Sequence, residues 1–317
     1  MSDQVRAIVV DPKAPGKLSV QPAPLAPAMP TDVTVRVTAI SLNRGETKRA
    51  VTQSEPGWRP GWDFAGVVEE AAKQGGGPKA GQRVVGMLLS GAWAERIRVP
   101  VQSVAVLPDG VSDAQAATLP VAGLTALHAL RQGGLLLGRK VLVDGTSGGV
   151  GHLAIQLAFA SGAIVTGHVR REELRKAVAP WCNGGVAVGA SVEAARGMGP
   201  FHLILDSVGG QTLASVLTML ATSGTCVTFG ISEAPTTTFE SGTFFRQGGA
   251  KLYGLILFDE LVRVEPAGKG LALLADLVLR KVLVPAIEVE APWTEIGRVA
   301  TDLLDRKFAG KAVLHVK

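Results

Sequence analysis

Apolar and polar positions follow two different rhythms in two parts of the chain. Between 33 and 38, Val33, Val35 and Val37 interleave with Thr34, Arg36 and Thr38, the period-two pattern of a half-buried strand, and 5–10 reads as another short strand. Prolines at 22, 24, 27 and 30 predict irregular chain between the two. Ser41–Glu46 closes the second strand in polar side chains and 47–60 reads as an irregular loop; for the charges Arg44, Glu46 and Lys48 a place in solvent weighs at least as much as one in the site. Further short strands are expected at 62–68, 83–88 and 92–99, so the first third is β-rich with many turns.

The rhythm changes near Pro120. Short apolar runs at 141–143, 163–166, 203–206, 226–229 and 252–258 read as buried strands, and 150–161, 171–179 and 210–220 between them as helices. Such alternation predicts a parallel sheet with crossover helices. A last amphipathic helix is expected at 268–281, with Leu271, Leu274, Leu277 and Val278 on one side. The tail, 312–316, returns to strand character and is placed to rejoin the first sheet.

One transition carries candidate chemistry. Val141-Leu142-Val143-Asp144-Gly145-Thr146-Ser147-Gly148-Gly149-Val150-Gly151 runs from strand into a glycine turn, and His152–Ala158 leaves it as a helix. That is the strand, glycine loop and helix of a dinucleotide site: one glycine permits the tight turn, the middle ones let backbone N–H groups approach a pyrophosphate, and the last lets helix pack on strand. The helix N-terminus then faces the phosphates. Gly145, Ser147, Gly148, Gly149, Val150 and Gly151 are the candidate cradle.

Composition narrows the setting. The 317 residues predict two domains, and 47% hydrophobic with 19% charged residues describes a soluble globular chain. The net charge of +5 is scattered over the sequence, which excludes a basic nucleic-acid face, and no apolar run reaches spanning length. The opening residues, Met1-Ser2-Asp3-Gln4-Val5-Arg6, lead into a strand that stops at Asp11-Pro12 and lack the long apolar core of a signal peptide. Cys182 and Cys226 make neither a disulfide framework nor a zinc cluster and read as small buried hydrophobes; a reducing cytoplasm is the simplest compartment. His128, alone on an apolar helix, reads as structural.

Several blocks, in order and over nearly the whole chain, resemble one family. They are Ser41-Leu42-Asn43, Gly61-Trp62-Asp63-Phe64-Ala65-Gly66-Val67-Val68, Ala80-Gly81-Gln82-Arg83-Val84, Leu119-Pro120-Val121-Ala122-Gly123-Leu124-Thr125-Ala126, the glycine loop, Leu205-Asp206-Ser207-Val208-Gly209-Gly210 and Gly310-Lys311-Ala312-Val313-Leu314. Together they resemble the zinc-free, zeta-crystallin-like quinone oxidoreductase branch of the medium-chain dehydrogenase/reductase superfamily. The resemblance implies an α/β chain with a Rossmann doubly wound sheet at 119–260 and a GroES-like β-rich domain built from both chain ends, 1–118 and 261–317, with a cofactor cleft at their junction. It implies cofactor contacts from Thr125, the glycine loop, His168, Arg170, Arg171, Ser207, Val208, Phe229 and Gly230. It also implies a homodimer joined through the late strand 251–258, an apolar edge that invites pairing.

Metal chemistry is not expected. Alcohol dehydrogenases of this superfamily hold catalytic zinc near the positions of Asn43, Trp62 and Val121, and none of these side chains supplies a thiolate or imidazole. For the cofactor, the run Ala163–Thr166 ends in Gly167-His168-Val169-Arg170-Arg171, where an NAD site would place a carboxylate for the ribose hydroxyls. Two guanidiniums there suit a 2′-phosphate, so NADPH is expected; the plainer alternative pairs Arg170 and Arg171 with Glu172 and Glu173 on the surface. The enoyl reductases' tyrosine, one residue after Asn43, is replaced by Arg44, and the only tyrosine, Tyr253, lies in a late strand. Asn43 is expected to donate its amide N–H to the reduced acceptor's oxygen and Arg44 to offset its charge, the alternative for Asn43 being a turn that closes the strand. The expected activity is zinc-independent hydride transfer from NADPH to a quinone or similar α,β-unsaturated carbonyl. A biosynthetic enone or enoyl reductase, and an NADPH-binding protein without turnover, stay open beside it.

Overall fold

The computed structural model describes residues 4–317; Met1–Asp3, where the reading of the N-terminus begins, lie outside the described residues. Two compact units divide the chain, one running to Leu124 and resuming at Leu261–Lys317, the other spanning Thr125–Glu260.

In the first unit, β1 (Gln4–Val10) and β2 (Leu18–Pro24) form an antiparallel ribbon with Pro22 opposite Arg6 and Pro24 opposite Gln4. The expectation that these prolines exclude regular structure is therefore corrected. A strand with one neighbour tolerates proline, because alternate N–H groups face no partner. The long β3 (Asp32–Ser41) pairs antiparallel with β4 (Asp63–Glu70); β5 (Arg83–Met87) and β7 (Val104–Val106) extend that side, and β6 (Arg96–Pro100) pairs with the first half of β3.

The stretch after β3 is a second correction. Arg44–Gln53 is a helix, where the sequence predicted a loop. Asn43 stands extended as its N-cap, and Glu46, at the third helical position, accepts the Asn43 backbone N–H at 3.0 Å. Thr47 Oγ1 donates to the Asn43 carbonyl at 2.8 Å. These polar residues look like a loop in the linear pattern because their partners are local backbone groups. Glu46 is fully buried, against the place in solvent that its charge favours.

The second unit holds six parallel strands: β8 (Lys140–Asp144), β9 (Ile164–Val169), β10 (Gly185–Val188), β11 (Phe201–Asp206), β12 (Leu220–Thr228) and β13 (Lys251–Gly254). Their order is β10-β9-β8-β11-β12-β13, so the winding reverses between β8 and β11. Ligands in such sheets bind beyond the strand C-termini at that reversal. The predicted strand at 252–258 is corrected to four residues: Leu257–Arg263 is a helix whose first turn buries Leu257 and Glu260. An apolar run of that length is compatible with either structure, and periodicity alone does not separate them.

Back in the first unit, the predicted amphipathic helix is Ala267–Leu279, burying Leu271, Leu274 and Val278. The strands β14 (Ile287–Pro292) and β15 (Lys311–His315) then pair with each other, and β15 lies antiparallel to β3 with Val313 opposite Ser41, so the tail does rejoin the first sheet. That sheet and the β1–β2 ribbon share one apolar core around Val35, Phe64, Trp93 and Leu314.

Candidate functional site

The glycine loop stands at the C-terminal end of β8, on the reversal point. Gly145 adopts φ +72°, which few side chains tolerate, and a Cβ there would also lie 2.9 Å from Ser207 Oγ at the end of β11. Gly148 N–H closes the turn on the Gly145 carbonyl at 2.9 Å, and the helix Gly149–Ala160 begins immediately. Its first N–H groups have no intrahelical acceptor and carry the positive end of the helix dipole, which is what a pyrophosphate needs. A Cβ on Gly151 would come within 2.3 Å of the Gly145 carbonyl oxygen, so the helix packs on the loop only because that side chain is missing.

The neighbouring strand ends converge on this loop. Thr146 N–H donates to the His168 carbonyl at 3.2 Å, Phe229 N–H donates to the Asp206 carbonyl at 3.0 Å, and a Cβ on Gly230 would meet the Ser207 carbonyl oxygen at 2.5 Å. Asp206 accepts the N–H groups of Val208 at 3.1 Å and Gly209 at 3.2 Å and the Thr228 hydroxyl at 3.0 Å; burial outweighs these bonds and pushes its carboxyl up to about 6. Gly145, His168, Ser207, Val208, Phe229 and Gly230 are thus brought to one end of the sheet. Thr125 is buried in the helix Pro120–Arg131. Past β9, Arg171 pairs with Glu173 at 3.3 Å and Glu172 with Arg175 at 2.7 Å, all on the surface. Among the described residues Arg170, exposed beside His168, enters no such pair.

The other predicted side chains lie in the first unit and form a buried cluster. Asn43 Nδ2 donates to Glu46 Oε1 at 2.9 Å and to Asp63 Oδ2 at 2.7 Å, while its Oδ1 accepts from Lys311 Nζ at 2.7 Å. Lys311 Nζ also donates to the Leu42 carbonyl at 2.9 Å and lies 3.5 Å from Asp63 Oδ2; Asp63 Oδ1 accepts Val121 N–H at 3.0 Å. Glu46 and Asp63 are 0% exposed and Lys311 4%. Burial, then the Asp63 charge, holds the Glu46 carboxyl well above the usual range; burial also raises Asp63 against the pull of Lys311, and lowers Lys311. With its proton on Glu46 the cluster is neutral. Both Asn43 Nδ2 hydrogens are committed within it, and Arg44 Nη1 donates to the Leu303 and Leu304 carbonyls at 3.0 and 2.7 Å, closing the C-terminus of the helix Ile296–Leu304.

Two family models match the chain, the alcohol dehydrogenase GroES-like domain over residues 29–109 and the zinc-binding dehydrogenase domain over 149–267. A mycobacterial quinone oxidoreductase structure superposes with a TM-score of 0.85 at 25% identity, covering 99% of this chain and 100% of that one. The chain belongs to the medium-chain dehydrogenase/reductase superfamily. It is 33% identical over 245 residues to a mycocerosic acid synthase-like polyketide synthase of Mycobacterium tuberculosis, and 30% identical over 198 residues to an acryloyl-coenzyme A reductase of Sulfurisphaera tokodaii. These matches cover 73% and 54% of this chain but only 11% and 59% of those proteins.

Among the described residues of this medium-chain dehydrogenase/reductase no group of three or more His, Cys, Asp or Glu side chains is placed to hold a metal ion. Asn43 is saturated by two carboxylates and an ammonium, Trp62 Nε1 donates to the Leu89 carbonyl at 3.0 Å, and Val121 has no donor atom in its side chain. Tyr253 donates to Glu260 Oε1 at 2.6 Å, and the other oxygen of that carboxylate lies 3.4 Å from His128 Nδ1. Burial pushes the Cys182 thiol up to about 12 and raises Cys226 well above its ordinary value, as befits inert core residues. Sequence reasoning missed Asp144, Asp206, Asp63 and Lys311 as organising groups. A signal was present: each is a charge at the end of, or inside, an apolar strand, where only a partnered charge is stable.

Proposed function

We propose that the protein is an NADPH-dependent reductase that transfers hydride to a quinone or an α,β-unsaturated carbonyl without zinc. The observation that carries the reading is the tip of β9: the residues that follow the strand are Arg170 and Arg171, not a carboxylate, and among the described residues Arg170 enters no ion pair, just past the strand whose His168 carbonyl accepts from the glycine loop. Arg170, more than the Glu173-paired Arg171, is the group for the 2′-phosphate. When bound, reduced nicotinamide supplies the hydride. Asn43 acts by position: it holds Glu46, Asp63 and Lys311 in one network and so fixes the helix Arg44–Gln53 against β4 and β15, while Arg44 anchors that helix to the C-terminus of another. An acceptor whose oxygens take protons from solvent fits this arrangement. Conjugated thioesters join the candidates on the likeness to the relative named as an acryloyl-coenzyme A reductase.

The test is NADPH consumption, followed by nicotinamide absorbance, with a quinone and an enoyl thioester in parallel. Turnover with either is expected. Arg170→Ala is expected to raise the KM for NADPH about tenfold or more at unchanged kcat, the loss of one charge-assisted bond worth about 1.5–3 kcal/mol, and to leave NADH use unaltered. Cofactor binding without turnover on any conjugated acceptor would favour a binding protein instead.

We further propose that two copies pair through β13. It is the edge strand of its sheet, and Phe245, Leu252 and Ile256 nearby are exposed. Sedimentation at micromolar concentration is expected to show a dimer, and Leu252→Lys to shift it to monomer; a wild-type monomer would end this reading.

A further inference from the structure

Asp144 ends β8 and His168 lies one residue from the end of β9, and both side chains are buried, 4% exposed. His168 Nδ1 is 2.6 Å from Asp144 Oδ1, and its Nε2 is 2.9 Å from the carbonyl oxygen of Gly189, just past β10. A carboxylate and a carbonyl only accept hydrogen bonds. When both contacts are made, both ring nitrogens carry hydrogen and the ring is an imidazolium. The same Asp144 oxygen accepts Gly145 N–H at 2.8 Å, and the His168 carbonyl accepts Thr146 N–H. One protonated ring therefore ties the ends of three strands to the first two residues of the glycine loop.

We propose that the Asp144–His168 pair is a proton-linked specificity element of the cofactor site, whose imidazolium form favours a 2′-phosphorylated dinucleotide and whose neutral form does not. This rests on the NADPH reading above. Two consequences of losing the proton support it. A neutral ring has one N–H, so either Asp144 or Gly189 loses its donor and the clasp on the loop opens. A positive charge beside Arg170 also disappears from the strand tip where the 2′-phosphate is held, which costs NADPH affinity and spares NADH.

The surroundings keep the ring charged over a useful range. Burial alone would lower its pKa, but the bond to Asp144, the Asp144 charge and the Gly189 carbonyl together raise it above the ordinary imidazole value, with Arg170 opposing. Further charges at this end of the sheet are Asp206 at the end of β11, which feels Asp144 directly, and the surface pairs Arg171–Glu173 and Arg175–Glu172 past β9. A folded-state value above the unfolded one means that the clasp is complete below the ordinary pKa and is lost as pH rises through the raised one.

The experiment is to measure Kd for NADPH and NADH by tryptophan fluorescence across the neutral range, in the wild type and in His168→Gln and Asp144→Asn. The wild-type ratio Kd(NADH)/Kd(NADPH) is expected to fall about three- to tenfold with rising pH, a pKa difference of half to one unit between the two complexes. The phosphate's own ionisation, near pKa about 6, gives the opposite trend, because the dianion binds cations more tightly. Both variants are expected to lose the fall. Should neither fold, the His168 Cε1–H resonance of the wild type is expected to titrate at higher pH with NADPH than with NADH. A ratio that is flat or rises in the wild type, or an equal fall in His168→Gln, overturns the proposal. Failure to bind either nucleotide, or no preference for NADPH at low pH, overturns the NADPH reading itself and is distinct from those results.

Discussion

Gly151→Ala is expected to abolish NADPH binding and to destabilise the fold at the same time. The new Cβ would sit 2.3 Å from the Gly145 carbonyl oxygen, 2.8 Å from Thr146 Cα and 2.9 Å from the Gly145 carbonyl carbon, all backbone atoms with no rotamer by which to move away. Either the helix Gly149–Ala160 lifts from the loop or the loop unwinds. Overpacking of this kind costs about 1–3 kcal/mol, visible as a lower urea midpoint, and an N-terminus displaced from the loop no longer converges its N–H groups on a phosphate. A fall of about a hundredfold or more in NADPH affinity is expected, equivalent to about 2.8 kcal/mol. Gly148→Ala separates the two effects. Gly148 is exposed, its φ of −80° suits any residue, and its Cβ would meet the Gly145 carbonyl oxygen at 3.3 Å. Stability should stay near wild type while affinity falls, because the added methyl occupies the approach of the pyrophosphate. Wild-type affinity in both variants would remove the loop from the cofactor site.

That loop was legible in the sequence because each of its steps is local: an apolar strand, a glycine turn and a helix follow one another within twenty residues. The parallel sheet and the return of the tail to β3 were legible for the same reason of pattern, one element at a time. What escaped the sequence depends on contacts made at a distance. The helix Arg44–Gln53 has a polar, weakly periodic sequence, and it is a helix because Asn43 and Glu46 cap it and because Lys311, far along the chain, neutralises that end. Asn43 was singled out in the sequence as a special position, yet its partners Asp63 and Lys311 lay in separate motifs whose spatial meeting no periodicity reports. At β13 the apolar run continued past the strand into a helix, and hydrophobicity without alternation does not mark the junction. For Arg170 and Arg171 the spacing pointed to the tip of β9, but only the geometry distinguishes the arginine paired with Glu173 from its neighbour.

Lys311→Met is expected to be among the most destabilising single substitutions in the first unit. Its ammonium is the sole cation among the buried groups of that cluster, donating to Asn43 Oδ1 and the Leu42 carbonyl and facing Asp63, with Glu46 beyond Asn43. Methionine fills the volume and leaves the carboxylates. Removing one member of a buried ion pair costs about 3–5 kcal/mol, because the remaining charge is uncompensated. The loss should depend on pH in a definite direction. Glu46 already holds its proton more tightly than in the unfolded chain, as does Asp63, so their favourable contribution is full below the ordinary carboxyl range and declines as pH climbs through their raised values. Without Lys311 both values rise further, and the deficit relative to wild type is expected to shrink in mild acid and widen toward alkaline pH, as read by urea unfolding at each pH. Adding Asp63→Asn to Lys311→Met should recover most of the loss at neutral pH. The released Asn43 amide is then free to turn its oxygen toward the new amide, and no buried charge is left without a partner. If the deficit were the same at every pH and the second substitution deepened it, Lys311 would be acting through packing and its hydrogen bond to Leu42, and the charge balance drawn for the cluster would be wrong.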